Sequence, residues 1–238
     1  MLPAGKLGLR DPSLALGKKV MDLAIHLEDL PTERRLALAY APKAARPLVL
    51  GLFALDTRLA GIVRQAREPM LGQLKLSWWR DRLRADPVAG QFGDPLLELL
   101  DQWGDQRSAL AGLVDGWEHL LNDDPLDEPA LIAFAAARGQ ACAGLAERLA
   151  APEAIPEAAR AGRNWALVDL ALGLSDPAEL ALVYQIIQAQ DWRPARLPRT
   201  LRPLAVLHGL ARRKQGAGPL LAGPVDGLFA VRLGLLGF

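Results

Sequence analysis

The chain has 238 residues, enough for one large domain or two small ones with a full hydrophobic core. Hydrophobic residues make up 51% but aromatics only 5%, so Leu and Ala carry the apolar content and favour helix over strand before any motif is read. With 28 basic against 27 acidic residues there is no global field to draw nucleic acid, and a single cysteine, Cys142, rules out an intrachain disulfide framework.

Proline and glycine divide the chain into helical lengths. Ser13 to about Asp29 reads as the first helix, and Pro31-Thr32-Glu33 opens a short second one ending near Tyr40. After the break at Pro42, about Lys43 to Arg67 reads as a long helix, with Leu48, Leu52, Leu55, Leu59 and Ile62 recurring every three to four positions. Pro47 falls in its first turns, where proline is tolerated. Glu68-Pro69 interrupts the chain, and Met70 to Arg84 follows as a helix stopped at Asp86-Pro87. Asp94-Pro95 starts a helix to about Gln106, Ser108 to Leu121 forms another, and Asn122 to Pro125 makes a turn. Asp127-Glu128-Pro129 caps a long Ala-rich helix to about Leu149. Ile155-Pro156 to Leu174 comes next, then Asp176-Pro177 to about Gln190, with Asp176 as the N-cap. Trp192 to Pro198 is a proline-broken connection, Thr200 to Arg213 a helix and Lys214 to Pro219 a glycine-rich loop. A last helix from Leu220 or Gly227 closes the chain at Phe238.

Roughly ten helices with no convincing strand, no internal repeat and no Gly/Ser linker predict an all-α fold in a single domain over residues 1–238. No apolar run reaches the ~18 residues of a membrane span, and Met1 to Arg10 lacks the apolar run of a secretory signal. The expected location is cytoplasmic, with peripheral membrane contact left open through the apolar stretch Leu228 to Phe238.

Leu36 to Leu83 reads LALAYAPKAARPLVLGLFALDTRLAGIVRQAREPMLGQLKLSWWRDRL. Phe53-Ala54, the Arg67-Glu68-Pro69 break, and then Gly72, Leu76, Trp78, Trp79 and Arg80 follow one another as in the squalene/phytoene synthase family, which this segment resembles. Leu113-Val114-Asp115-Gly116-Trp117-Glu118, the small-residue stretch from Arg138-Gly139 to Leu149, and Leu201-Arg202-Pro203-Leu204-Ala205 resemble later parts of the same family. The resemblance implies a helical bundle of the isoprenoid-synthase type with a central cavity.

Active members of that family join two prenyl diphosphates, and two facing Asp-rich helices hold the Mg²⁺ that neutralises the leaving diphosphate. Here the first motif falls at Arg58, Leu59 and Ile62, and the one carboxylate left, Asp56, is offset by two residues. An arginine cannot ligate a metal. For the second motif the sequence offers Asp169 alone, then Asp176 and Glu179, with no D-x-x-x-D on either helix. Asp101 and Asp105 form an i,i+4 pair outside the family's metal helices. One branch of the family, which includes a mitochondrial respiratory complex I assembly factor, resembles the synthases yet lacks these motifs, and Trp78-Trp79-Arg80 is similar to that branch. The resemblance therefore implies a non-catalytic protein that binds a prenyl or lipid ligand, or a protein partner in respiratory complex assembly. No catalytic residue, metal or cofactor is assigned. The alternative is a divergent prenyl-diphosphate transferase of isoprenoid biosynthesis, which would need Mg²⁺.

The candidate ligand-binding residues are Phe53, Asp56, Arg58, Arg64, Arg67, Trp78, Trp79, Arg80, Asp115 and Glu118. Arg58, Arg64 and Arg67 either line a cavity mouth and hold an anionic head group or form a solvated, ion-paired helix face. Trp78 and Trp79 are adjacent and point to different faces, one into the core and one toward a cavity or partner, or both into the core. Asp115 and Glu118 share a helix face and are expected to pair with arginines of neighbouring helices. Ala135, Ala136, Gly139, Ala143 and Gly144 make one helix smooth, for close packing or to leave space for a prenyl chain. His26, His119 and His208 lack companions at ligand spacing, so no zinc site is expected. Cys142 reads as a buried apolar residue.

Overall fold

The computed structural model describes residues 27–86, 94–121, 125–215 and 218–237. Ten α-helices run through them: α1 (Thr32–Ala39), α2 (Arg46–Gln65), α3 (Pro69–Arg84), α4 (Pro95–Leu100), α5 (Arg107–Glu118), α6 (Glu128–Arg148), α7 (Ile155–Ala171), α8 (Pro177–Gln188), α9 (Arg202–Lys214) and α10 (Pro224–Leu236). No strand occurs among the described residues, so the chain is all-α. Most of the helix expected over Ser13–Asp29, the turn at Asn122–Asp124, part of the Lys214–Pro219 loop, His26 and Phe238 lie outside the described residues.

Helix starts follow proline and aspartate chemistry. Eight of the ten helices carry proline at their first or second position, where no N–H is required of it. Asp94, Asp127 and Asp176 cap α4, α6 and α8, accepting from Leu96 N at 2.8 Å, Ala130 N at 2.9 Å and Ala178 N at 2.8 Å. The helix expected from Asp94 to Gln106 is instead α4 followed by a 3₁₀ segment, Asp101–Gln106. Gly104 breaks it with φ 54° and ψ −130°, a conformation glycine adopts readily.

One continuous apolar core runs from Leu30 to Leu233 and takes in side chains of every helix except α10's outer face. Its tightest seam is between α6 and α7. A Cβ on Gly139 would stand 2.7 Å from Ala159 O, and one on Gly162 would meet Cys142 Sγ at 2.5 Å. Gly144 lies close to Ala109 of α5 in the same way. The smooth face of α6 is therefore filled by neighbouring helices, and close packing rather than an open channel explains its small residues. Among the described residues no helix is long and apolar enough to cross a membrane.

Candidate functional site

Four charged side chains from four helices meet in the middle of this core. Asp56 of α2 and Arg138 of α6 are fully buried, and Arg34 of α1 is nearly so. Asp169, near the end of α7, keeps 17% of its side chain exposed. Arg34 contacts Asp56 Oδ2 at 2.7 Å through Nη1 and Asp169 Oδ2 at 2.9 Å through Nη2. Arg138 contacts Asp56 Oδ2 at 2.9 Å through Nη2 and donates from Nε to Asp56 Oδ1 at 3.2 Å. Its Nη1 reaches Asp169 Oδ2 at 2.8 Å. A fifth helix joins through Trp117 of α5, whose Nε1 donates to Asp56 Oδ1 at 2.8 Å. Arg34 Nη1 also donates to Thr57 Oγ1 at 3.0 Å, and that hydroxyl donates to Phe53 O at 2.7 Å.

Two guanidiniums and two carboxylates sum to zero charge, which is what allows ions to sit in an apolar interior. Aromatic faces complete the cage. Trp165 lies 4.5 Å from the Arg138 guanidinium and 5.0 Å from that of Arg34, and Phe134 lies 4.8 Å from Arg138. Phe53 packs edge-on against Trp165 at 5.8 Å. Burial alone would raise the Asp169 carboxyl, but Arg34 and Arg138 outweigh it and hold it below the ordinary carboxylate range. Glu33, beside Arg34, is pushed up by burial and by the Asp169 charge.

The cluster does not end in solid protein. A cavity of about 300 Å³ opens beside it, walled by Arg34, Asp169, Trp117, Glu33 and Arg64 on its polar side. Val63, Leu120, Leu126, Leu170 and Leu174 supply its apolar wall. It combines a mainly apolar surface with a few convergent charged groups, the usual make-up of a small-ligand pocket.

The residues singled out in the sequence fall in different places. Phe53 and Asp56 are interior parts of the cage. Arg58 and Arg64 separate: Arg64 lines the cavity, whereas Arg58 lines a second groove of about 410 Å³ between α2 and α3, with Ile62, Leu74, Lys75, Trp78 and Trp79. Arg67 is exposed in the link between α2 and α3 and lines neither. Trp79 is buried, Trp78 is 42% exposed, and the two rings meet edge to face, so adjacency does put them on different faces. Arg58 lies over the Trp79 ring at 5.9 Å. Arg80 pairs with Asp115 at 2.5 Å and with Glu118, while Arg84 reaches Asp115 at 3.1 Å. These part-exposed pairs tie α3 to α5, each worth about 0–1 kcal/mol.

Arg34 and Arg138, the cations that organise the centre, were not among the sequence candidates. The signal for Arg138 was present: a lone charge inside the apolar run of α6, which needs a partner if buried. Nothing in the polar-looking stretch around Arg34 marks it. Cys142 is fully buried, and burial pushes its thiol up to about 12. His208 is also interior, and burial followed by the Arg160 charge lowers it to about 4. Among the described residues no three His, Cys, Asp or Glu side chains gather at metal-binding distance.

Fold and site together define an all-helical protein with a neutral, salt-bridged polar centre opening onto a small cavity. Comparison with protein-family models, with curated proteins and with solved structures gave no match.

Proposed function

We propose that the chain is a squalene/phytoene synthase-like protein of the isoprenoid-synthase type that holds a prenyl or lipid-like ligand without catalysing prenyl transfer. The observation that carries this reading is the state of Asp56 and Asp169. Asp56 stands on α2, where the resemblance places the first metal motif, and Asp169 on α7, one of the two helices it allows for the second, and both are engaged by Arg34 and Arg138. Mg²⁺ needs several hard oxygen ligands in near-octahedral array. Both oxygens of Asp56 are occupied, and two guanidiniums stand where a divalent cation would have to sit. The residues present do not fit Mg²⁺.

The cavity beside the cluster supports ligand binding, since its volume lies at the lower end of the ~300–1,000 Å³ typical of ligand pockets. Its wall is mostly Leu and Val, and Arg64 at its edge suits a polar or anionic head. A role in respiratory complex assembly remains the function this branch of the family suggests for the loaded protein.

Two measurements test the reading. Incubation with farnesyl or geranylgeranyl diphosphate and Mg²⁺ is expected to release no diphosphate; release abolished by Asp56→Asn or Asp169→Asn would establish the transferase instead. Native mass spectrometry of the full chain is expected to show a co-purifying lipid that is lost in Val63→Trp, which fills the cavity. An empty wild-type protein that also fails to bind added farnesol would refute the ligand site.

A further inference from the structure

The outer face of α10 is apolar. Val225, Leu228, Val231, Leu235 and Leu236 are exposed there, with Leu228 at 71% and Leu235 at 68%, and Arg232 is the one charged side chain α10 presents to solvent. A soluble helix normally turns such residues inward. At its C-terminal end this face runs into a cleft of about 1100 Å³, bounded by Leu236 and Gly237, by Arg202 at the start of α9, and by the connection carrying Arg193 and Arg196. Arg193 is ion-paired to two carboxylates, Glu157 at 3.3 Å and Asp191 at 3.1 Å, which leaves Arg196 and Arg202 as the lining arginines without a carboxylate partner among the described residues. Glu157 is already committed: it accepts from Arg160, from Arg193 and from Arg196 N. Among the described residues the Arg196 side chain has no carboxylate partner.

The cleft wall is built rather than incidental. Arg160 Nη1 donates to Asp191 O at 2.8 Å and Arg193 O at 3.0 Å, and Asn164 Nδ2 donates to Asp191 O at 2.8 Å. These bonds fix a connection without regular structure onto α7. Arg202 lies against Gly237 so closely that any side chain there would collide with it, which keeps the cationic wall next to the apolar helix.

An apolar helix face bordered by Arg196 and Arg202, neither of them paired to a carboxylate among the described residues, is complementary to one kind of partner, a surface with anionic phosphates above hydrocarbon. We propose that α10 and the arginine cleft dock the protein on a membrane carrying anionic phospholipid. Arg196 and Arg202 take a headgroup phosphate, to which the guanidinium fork is matched. Leu228, Leu235 and Leu236 enter the upper acyl region. This surface is separate from the cavity beside Asp169, so either proposal stands without the other.

The test is flotation of the full chain with vesicles of phosphatidylcholine alone or of phosphatidylcholine with phosphatidylglycerol. Binding is expected only to the anionic vesicles and is expected to weaken as salt rises. Arg196→Gln should reduce affinity about fivefold, as expected for one cation near such a surface. Leu228→Glu with Leu235→Glu should abolish flotation, with an unchanged circular dichroism spectrum because both side chains already face solvent. Failure to float, equal flotation with both vesicles, or flotation indifferent to these variants overturns the proposal. So does a dimer that Leu228→Glu converts to monomer without altering flotation, which would assign the face to a second copy. Arg196-dependent binding of inorganic phosphate without vesicle binding would reduce the cleft to a small-anion site and also overturn it.

Discussion

Replacing Arg138 by methionine removes one of the two cations from the buried centre while keeping most of the side-chain volume. The four-charge group then changes from neutral to a net −1, with Asp56 and Asp169 sharing Arg34 alone. Three contacts of 2.8–3.2 Å disappear together with the ring faces of Trp165 and Phe134 packed on the guanidinium. Breaking a buried ion pair from one side costs about 3–5 kcal/mol, because the remaining charge stays buried without compensation. For a chain of this size, at about 2–4 °C per kcal/mol, the Tm should fall by about 6–20 °C. Urea unfolding of Arg138→Met, Asp56→Asn and the double variant supplies the cycle. The double variant leaves Arg34 facing Asp169, again neutral, so its destabilisation should be smaller than the sum of the singles by at least about 1 kcal/mol. Loss below about 1 kcal/mol for Arg138→Met, or additivity within about 0.5 kcal/mol, would refute the account of a mutually neutralising cluster.

His208 offers a pH test. Its folded value of about 4 lies below the ordinary ~6.5, so the unfolded chain binds the proton more readily between these limits. Stability contributed by the neutral ring is complete above about pH 6.5 and declines as pH falls toward 4. Between pH 7 and pH 5 the loss should be about 2 kcal/mol by chemical denaturation, and His208→Gln should flatten the profile. Gly139→Ala puts a methyl 2.7 Å from the Ala159 carbonyl oxygen, and backbone cannot rotate away. It should cost about 1–3 kcal/mol despite alanine's better helix propensity; a neutral or stabilising effect would show that the α6–α7 seam is looser than described.

Helix positions were largely legible because the chain marks them with proline and aspartate. Pro69, Pro95, Pro177 and Pro224 stand at the first residue of α3, α4, α8 and α10, and Asp176 caps α8 as its position implied. The break after α4 was not legible, since Asp101–Gln106 carries a helix-compatible composition and only the Gly104 conformation ends it. In the site, Asp56 and Asp169 could be found as residual carboxylates, and the pairing of Asp115 and Glu118 with arginines followed from their spacing. Their relation to Arg34 and Arg138 could not. It depends on contacts separated by 135 residues between Arg34 and Asp169 and 82 between Asp56 and Arg138, which no local pattern encodes. Nor could the sequence separate Arg58 from Arg64: six positions apart on one helix, they open onto different hollows.

Those separations also have a bearing on the order of assembly. α6 and α7 join through a short connection, so their seam can close early, whereas the ionic centre waits until segments 135 residues apart in the chain have been brought together. Contacts completed after the rate-limiting barrier act on escape from the native state rather than on arrival. The arginine–aspartate centre is thus expected to behave as a latch: weakening it should leave the refolding speed nearly untouched and shorten the lifetime of the folded molecule.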